Sequence, residues 1–89
     1  MATYYSDIVN KRSCVYRLYD AAGDLLYIGI STNPLGRISQ HRSKRPWGKE
    51  IVRDEVEWFD GREAAKDAER WAIHFENPRH NLMRPEVEI

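Results

Sequence analysis

The chain has 89 residues with 14 Lys/Arg against 14 Asp/Glu, enough for one small domain with a thin core. No apolar run nears the roughly 18 residues of a membrane span and no basic-then-apolar leader opens the chain, so membrane and secreted classes are not expected. Cys14, the single cysteine, cannot form an internal disulfide or a cysteine-based zinc site, which points to a reducing, cytoplasmic setting.

Residues 1–12 lack clear periodicity and read as an N-terminal arm or a short helical turn; residues 13–89 form the domain. From Ser13 to Tyr19, Cys14, Tyr16 and Leu18 alternate with Val15, Arg17 and Tyr19, a strand pattern rich in β-formers. "DAAGD" is a short turn in which Gly23 can take positive φ, and "LLYIGIS" is the return strand of a hairpin. Asn33-Pro34 opens a helix, Asn as N-cap and Pro at the first helical position, that runs to Ser43 or Lys44 before Pro46. "RPWGKE" is a loop or short turn, and "EVEWFD" alternates as a third strand, with Val56 and Trp58 on one side. Asp60 to Glu63 spells D-x-x-E, close to a capping box, and opens a second helix. Ala64, Ala65, Ala68, Trp71, Ala72 and Phe75 give that helix an apolar stripe, and Asn77-Pro78 ends it. The order β-β-α-β-α predicts a small α/β sandwich, a three-stranded sheet flanked by helices.

Zero net charge by itself argues weakly against a nucleic-acid partner, but the charges are unevenly placed. Residues 1–53 hold nine Lys/Arg and four Asp/Glu; residues 54–89 hold five and ten. The basic excess is densest around Arg37, Arg42, Lys44, Arg45, Lys49 and Arg53. Screening confines charge effects to about 8–10 Å, so the local patch matters more than the total. A solvated helix face explains the charge equally well.

Four sets of residues carry potential chemistry. Glu69 has Ala65, Ala72 and Ile73 as its helical neighbours, with only Lys66 placed to pair with it. A carboxylate at a core margin needs an ion, a metal or hydrogen bonds, although an ordinary surface carboxylate is the simpler reading. Arg37 and His41 lie four apart on one helix face, where guanidinium can grip phosphate and imidazole can move a proton. Two exposed side chains on a basic helix is the plain alternative. Tyr16 and Tyr27 read as cross-strand packing residues, and Gly29 as a bulge or a close approach of another backbone. His74 and His80 lack a cysteine partner for zinc; His80 reads as a phosphate contact or a surface residue.

Taken in order, these pieces resemble the GIY-YIG nuclease superfamily. Tyr27-Ile28-Gly29 is the intact second tripeptide; Cys14-Val15-Tyr16 stands where Gly-Ile-Tyr would be and keeps the tyrosine. "YIGISTNPLGRISQH" resembles the passage from second strand to first helix, and "AAKDAERWAIHFENPRHN" the second helix and the segment after it. The resemblance spans residues 14 to 82. It implies a metal-dependent endonuclease that hydrolyses DNA phosphodiesters, leaving a 5′-phosphate and a 3′-hydroxyl; the small size, with little surface left for sequence readout, predicts low sequence specificity.

The same resemblance implies the roles. Glu69 would bind one Mg²⁺ or Mn²⁺, Arg37 the scissile phosphate, and Tyr16, with His41 as proton relay, would activate water. Tyr27 would orient water or phosphate, Gly29 would spare room for chain or substrate, and Asn81 would hold the site by hydrogen bonds. Arg42, Lys44, Arg45 and Lys49 would bind the nucleic-acid backbone. A catalytically weak nucleic-acid-binding module acting with a partner protein is the main alternative. A small interaction domain with a tyrosine-rich core is a third reading. The form of the DNA, DNA against RNA, and a partner or homodimer are left open.

Overall fold

The computed structural model describes residues 12–81. Strands β1 (Arg12–Tyr19) and β2 (Leu25–Ser31) form the hairpin, and Gly23 turns it at φ 86°. Asp20 helps close the turn: its Oδ1 accepts hydrogen bonds from the backbone N–H groups of Ala22 and Asp24. Helix α1 (Pro34–Lys44), a 3₁₀ turn (Gly48–Glu50), strand β3 (Arg53–Asp60) and helix α2 (Arg62–Glu76) come next. The expected β-β-α-β-α order and α/β fold are therefore present. The arm or short helix expected over residues 1–12 lies outside the described residues except for Arg12, where β1 begins, one residue earlier than expected.

The sheet is antiparallel throughout in the order β2-β1-β3, so β1 is central and buried on both faces. One face gathers Cys14, Tyr16, Leu18 and Leu26 with Ile38 of α1 and the loop residues Trp47 and Ile51. The other packs Val15 and Ile28 against Ala65, Ala72 and Ile73 of α2. The open edge of β2 is covered by the segment after α2: Arg79 and His80 donate backbone N–H bonds to the carbonyls of Leu25 and Leu26. An unpaired strand edge is a site for unwanted pairing, and this segment closes it.

Three local expectations change. The N-cap of α2 is Gly61, at φ 117°, with no side-chain cap, so Asp60 and Glu63 do not form a capping box. The buried line of α2 is Ala65, Ala72 and Ile73 with Ala68 at its margin, whereas Ala64, Trp71 and Phe75 are exposed. Trp71 and Phe75, one turn apart, stack on each other instead, centroids 5.3 Å apart and planes within 7°. Val56 and Trp58 point to the Tyr16 side of the sheet but remain 38% and 43% exposed, since α1 lies over the opposite edge. The Arg12 guanidinium covers the Trp58 ring from 4.9 Å.

Candidate active site

The site grows from one register position. Tyr16 faces Gly29 across the hairpin, and its phenol ring lies over that glycine. A Cβ at residue 29 would collide with the phenol, coming 2.8 Å from Cε2 and closer still to the hydroxyl. Gly29 thus makes room for Tyr16 itself, where chain or substrate had been expected. With that room the ring extends over β2, and its hydroxyl meets His41 Nε2 at 2.8 Å. Both residues are only 1% exposed.

Helix α1 delivers His41 and Arg37 together. Asn33 Oδ1 accepts the N–H of Gly36 and starts the helix, as expected, and Ile38 anchors it to the sheet. His41, one turn after Arg37, then points inward while Arg37 stays exposed. Arg37 donates from Nη1 to Gln40 Oε1 at 2.8 Å, which steers the guanidinium along the helix. Arg37, Gln40, His41, Lys44 and Arg45 line an open cleft of about 280 Å³.

An aromatic ladder roofs the pair. Tyr27 lies 4.6 Å from the His41 ring, Trp47 stacks on His41 at 5.6 Å and on Tyr27 at 5.7 Å, and His80 lies flat on Trp47 at 4.8 Å. Trp47 was not expected here; the only sequence signal was a Trp-Gly pair in the loop leaving a helix. The glycine matters, because a Cβ at Gly48 would press on the carbonyls of His41 and Arg42. His80, expected as a phosphate contact or a surface residue, is part-buried and stacked on Trp47. His80 Nε2 and His41 Nδ1 are buried without a hydrogen-bond partner among the described residues. The Tyr27 hydroxyl likewise makes no hydrogen bond among them.

Asn81 grips β2 beside the site. Its Oδ1 accepts the Ile28 N–H at 3.0 Å and its Nδ2 donates to the Ile28 carbonyl at 2.9 Å, extending the edge pairing by one position. This fixes the backbone between Tyr27 and Gly29.

Glu69 sits half-buried on α2. Burial raises its carboxyl above the usual range, against the opposing charges of Arg62 and Lys66. Neither cation reaches it as an ion pair, and it accepts no hydrogen bond among the described residues. The described residues hold no cluster of three or more metal-ligating side chains, so Glu69 would hold an ion as a lone carboxylate. A single unpartnered carboxylate fits Mg²⁺ or Mn²⁺: Mg²⁺ keeps several waters and takes one or two carboxylates plus substrate phosphate.

The titrations follow from these positions. Burial raises the Tyr16 phenol, assisted by Tyr27, Glu69 and Cys14 and opposed by Arg37. Tyr16 is therefore a neutral phenol at physiological pH. His41 is lowered to about 4 by burial, then by the charges of Arg37 and Arg45, and is neutral as well. Arg37 and Glu69 lie near enough to Tyr16 for their charges to act on it, in opposite directions.

Of the four cations expected to bind a nucleic-acid backbone, Lys44 and Arg45 share the cleft with Arg37. Arg42 and Lys49 are exposed outside its lining. A comparison with curated proteins gives no significant match. A family model described as the GIY-YIG catalytic domain matches residues 12–81.

Proposed function

Because the chain belongs to the GIY-YIG family, whose fold is of nuclease type, we propose that it is a metal-dependent endonuclease acting on DNA with low sequence specificity. The observation that carries this reading is the buried Tyr16–His41 hydrogen bond beside a cleft lined by Arg37. A proton-transfer pair next to a phosphate-binding group is what phosphodiester hydrolysis requires.

Arg37 binds the scissile phosphate and opposes the charge that grows on its oxygens. A water attacks phosphorus as its proton passes to the Tyr16 oxygen, while the Tyr16 proton moves to His41 Nε2. Tyr16 stays neutral, which suits its raised pKa. The bond from phosphorus to the 3′-oxygen breaks; that oxygen takes a proton from solvent, leaving a 5′-phosphate and a 3′-hydroxyl. Tyr27 uses its free hydroxyl to orient water or phosphate, and Asn81 holds the strand that carries it. Glu69 would hold the divalent ion, Mg²⁺ or Mn²⁺, which when bound polarises the phosphate and stabilises the leaving oxygen. Arg42, Lys44, Arg45 and Lys49 contact backbone phosphates, which carry no sequence information. The buried thiol of Cys14 fits a cytoplasmic, reducing setting.

The test is cleavage of single-stranded, duplex and branched DNA and of RNA in Mg²⁺, Mn²⁺ and EDTA, with Glu69→Gln alongside. Cutting is expected with either ion, none in EDTA, and at least a hundredfold loss in the folded variant. Binding without cutting on every substrate would replace this reading with a recognition module that acts with a partner protein.

A further inference from the structure

Among the described residues some cations are ion-paired and others are not, Arg12, Arg62 and Lys66 being among the latter. Arg17, Arg53, Arg70 and Arg79 are each ion-paired to a carboxylate. Arg37, Arg42, Lys44, Arg45 and Lys49 make no ion pair among the described residues. Three of that second group line the cleft described above, and His41 lies between them: Arg37 is one turn before it and Arg45 one turn after. Arg45 is also tied to His41 through the backbone, its N–H donating to the His41 carbonyl at 3.1 Å.

We propose that Arg37 and Arg45 bracket His41 as an anion clamp, and that phosphate groups seated on it switch His41 into the proton acceptor for Tyr16. The inference rests on the nuclease reading for the identity of the anion, a nucleic-acid backbone phosphodiester, and assigns the cleft a task beyond affinity.

Two fixed positive charges beside an imidazole disfavour a third, and Arg37 and Arg45 are the charges that act on His41. The remaining faces offer no relief. β1 presents the Tyr16 hydroxyl, β2 the Tyr27 ring, and the loop Trp47 with His80 behind it. Lys44 adds a further positive charge to the cleft, and no carboxylate among the described residues acts on the ring. Burial is the first cause and the two arginines the second, so in the free protein His41 is a poor base, and the arginines' share is the part that an anion can lift. A phosphodiester on each arginine cancels the repulsion, and the Tyr16 proton can then move to Nε2 as water delivers its own to the phenol oxygen. His41 Nδ1 keeps its hydrogen throughout, so its lack of a partner does not obstruct the transfer. Proton acceptance is thereby tied to seated substrate, and the phosphate on Arg45 becomes part of the catalytic requirement though it is not the one cut.

The experiment is an NMR titration of the three histidine rings, from about pH 8 to the acid limit of folding, with His74→Gln and His80→Gln for assignment. It compares the protein in EDTA and chloride with the protein in EDTA and a short oligothymidylate at matched ionic strength. No cutting occurs in EDTA, so the readout is independent of activity. With the oligonucleotide the His41 midpoint is expected to rise by about one unit while exposed His74 stays fixed. Arg45→Ala, at an exposed position, should raise His41 in the free protein and remove most of the response. Arg45→Lys, which keeps the charge, should leave the free midpoint low. Binding with His41 unmoved, or no binding, overturns the clamp. A shifted His41 in a protein that cuts nothing in Mg²⁺ would keep the clamp and remove the nuclease reading.

Discussion

Gly29 and Tyr16 share one register position, and the whole site depends on that pairing. The tripeptide Tyr27-Ile28-Gly29 was legible as a motif, but its glycine's partner was not. Which side chain lies over a glycine depends on strand register and on the rotamer of the opposite residue. Trp47 was hidden for a similar reason, because a loop tryptophan shows no periodicity to say what it covers. The Tyr16–Gly29 contact makes a sharp prediction. Gly29→Ala should cost about 1–3 kcal/mol, because the new methyl group must displace a buried ring that has nowhere to go. Repeated in a Tyr16→Ala background, the same substitution should cost almost nothing, since the obstructing ring is gone. Urea unfolding of the four proteins measures both steps. Equal costs in the two backgrounds would show that Gly29 serves the backbone and not the tyrosine.

Strands and helices were readable because each has a strong local signal: alternation in "CVYRLY", the Asn33-Pro34 start, the left-handed Asn77 ahead of Pro78. The phase of α2 was less so. Alanines and aromatics share its helical period, and only tertiary contact decides that the small side chains meet the sheet while Trp71 and Phe75 stack outside. Also invisible in sequence was the tie between β1 and the end of α2, fifty-nine residues apart. Arg17 donates from Nε and Nη2 to the two carboxylate oxygens of Glu76 at 2.8 and 2.7 Å, with Glu57 of β3 at 3.6 Å. A two-pronged charged bond to a largely buried arginine outweighs an exposed pair. Glu76→Gln should therefore lower stability by about 2 kcal/mol. Asp67→Asn, which breaks only the exposed Arg70–Asp67 contact along the same helix, should cost no more than about 0.5 kcal/mol. Thermal and urea melts compare the two, and equal losses would deny the Arg17–Glu76 bond its role in fixing α2.

Across the whole molecule, equal numbers of opposite charges conceal a division of labour. Arg17, Arg53, Arg70 and Arg79 are used up in internal pairs, while the cations around α1 are left without carboxylate partners among the described residues. Counting charges along the sequence located the excess, but the pairing that separates the two groups is a property of the fold. If the free group meets backbone phosphates, each contact releases counterions and leaves its mark on the salt dependence of binding. With Arg37, Arg42, Lys44, Arg45 and Lys49 engaged, log K against log salt should fall with a slope of about −4.5 on duplex DNA and about −3.5 on a single strand. Lys44→Ala and Arg45→Ala should each flatten that slope by about one, whereas Arg70→Ala, already paired to Asp67, should leave it unchanged. Fluorescence anisotropy in EDTA between about 50 and 200 mM salt gives the slopes without cutting. A slope near zero, or one that Arg70→Ala flattens as much as Arg45→Ala does, would move the nucleic-acid surface away from α1.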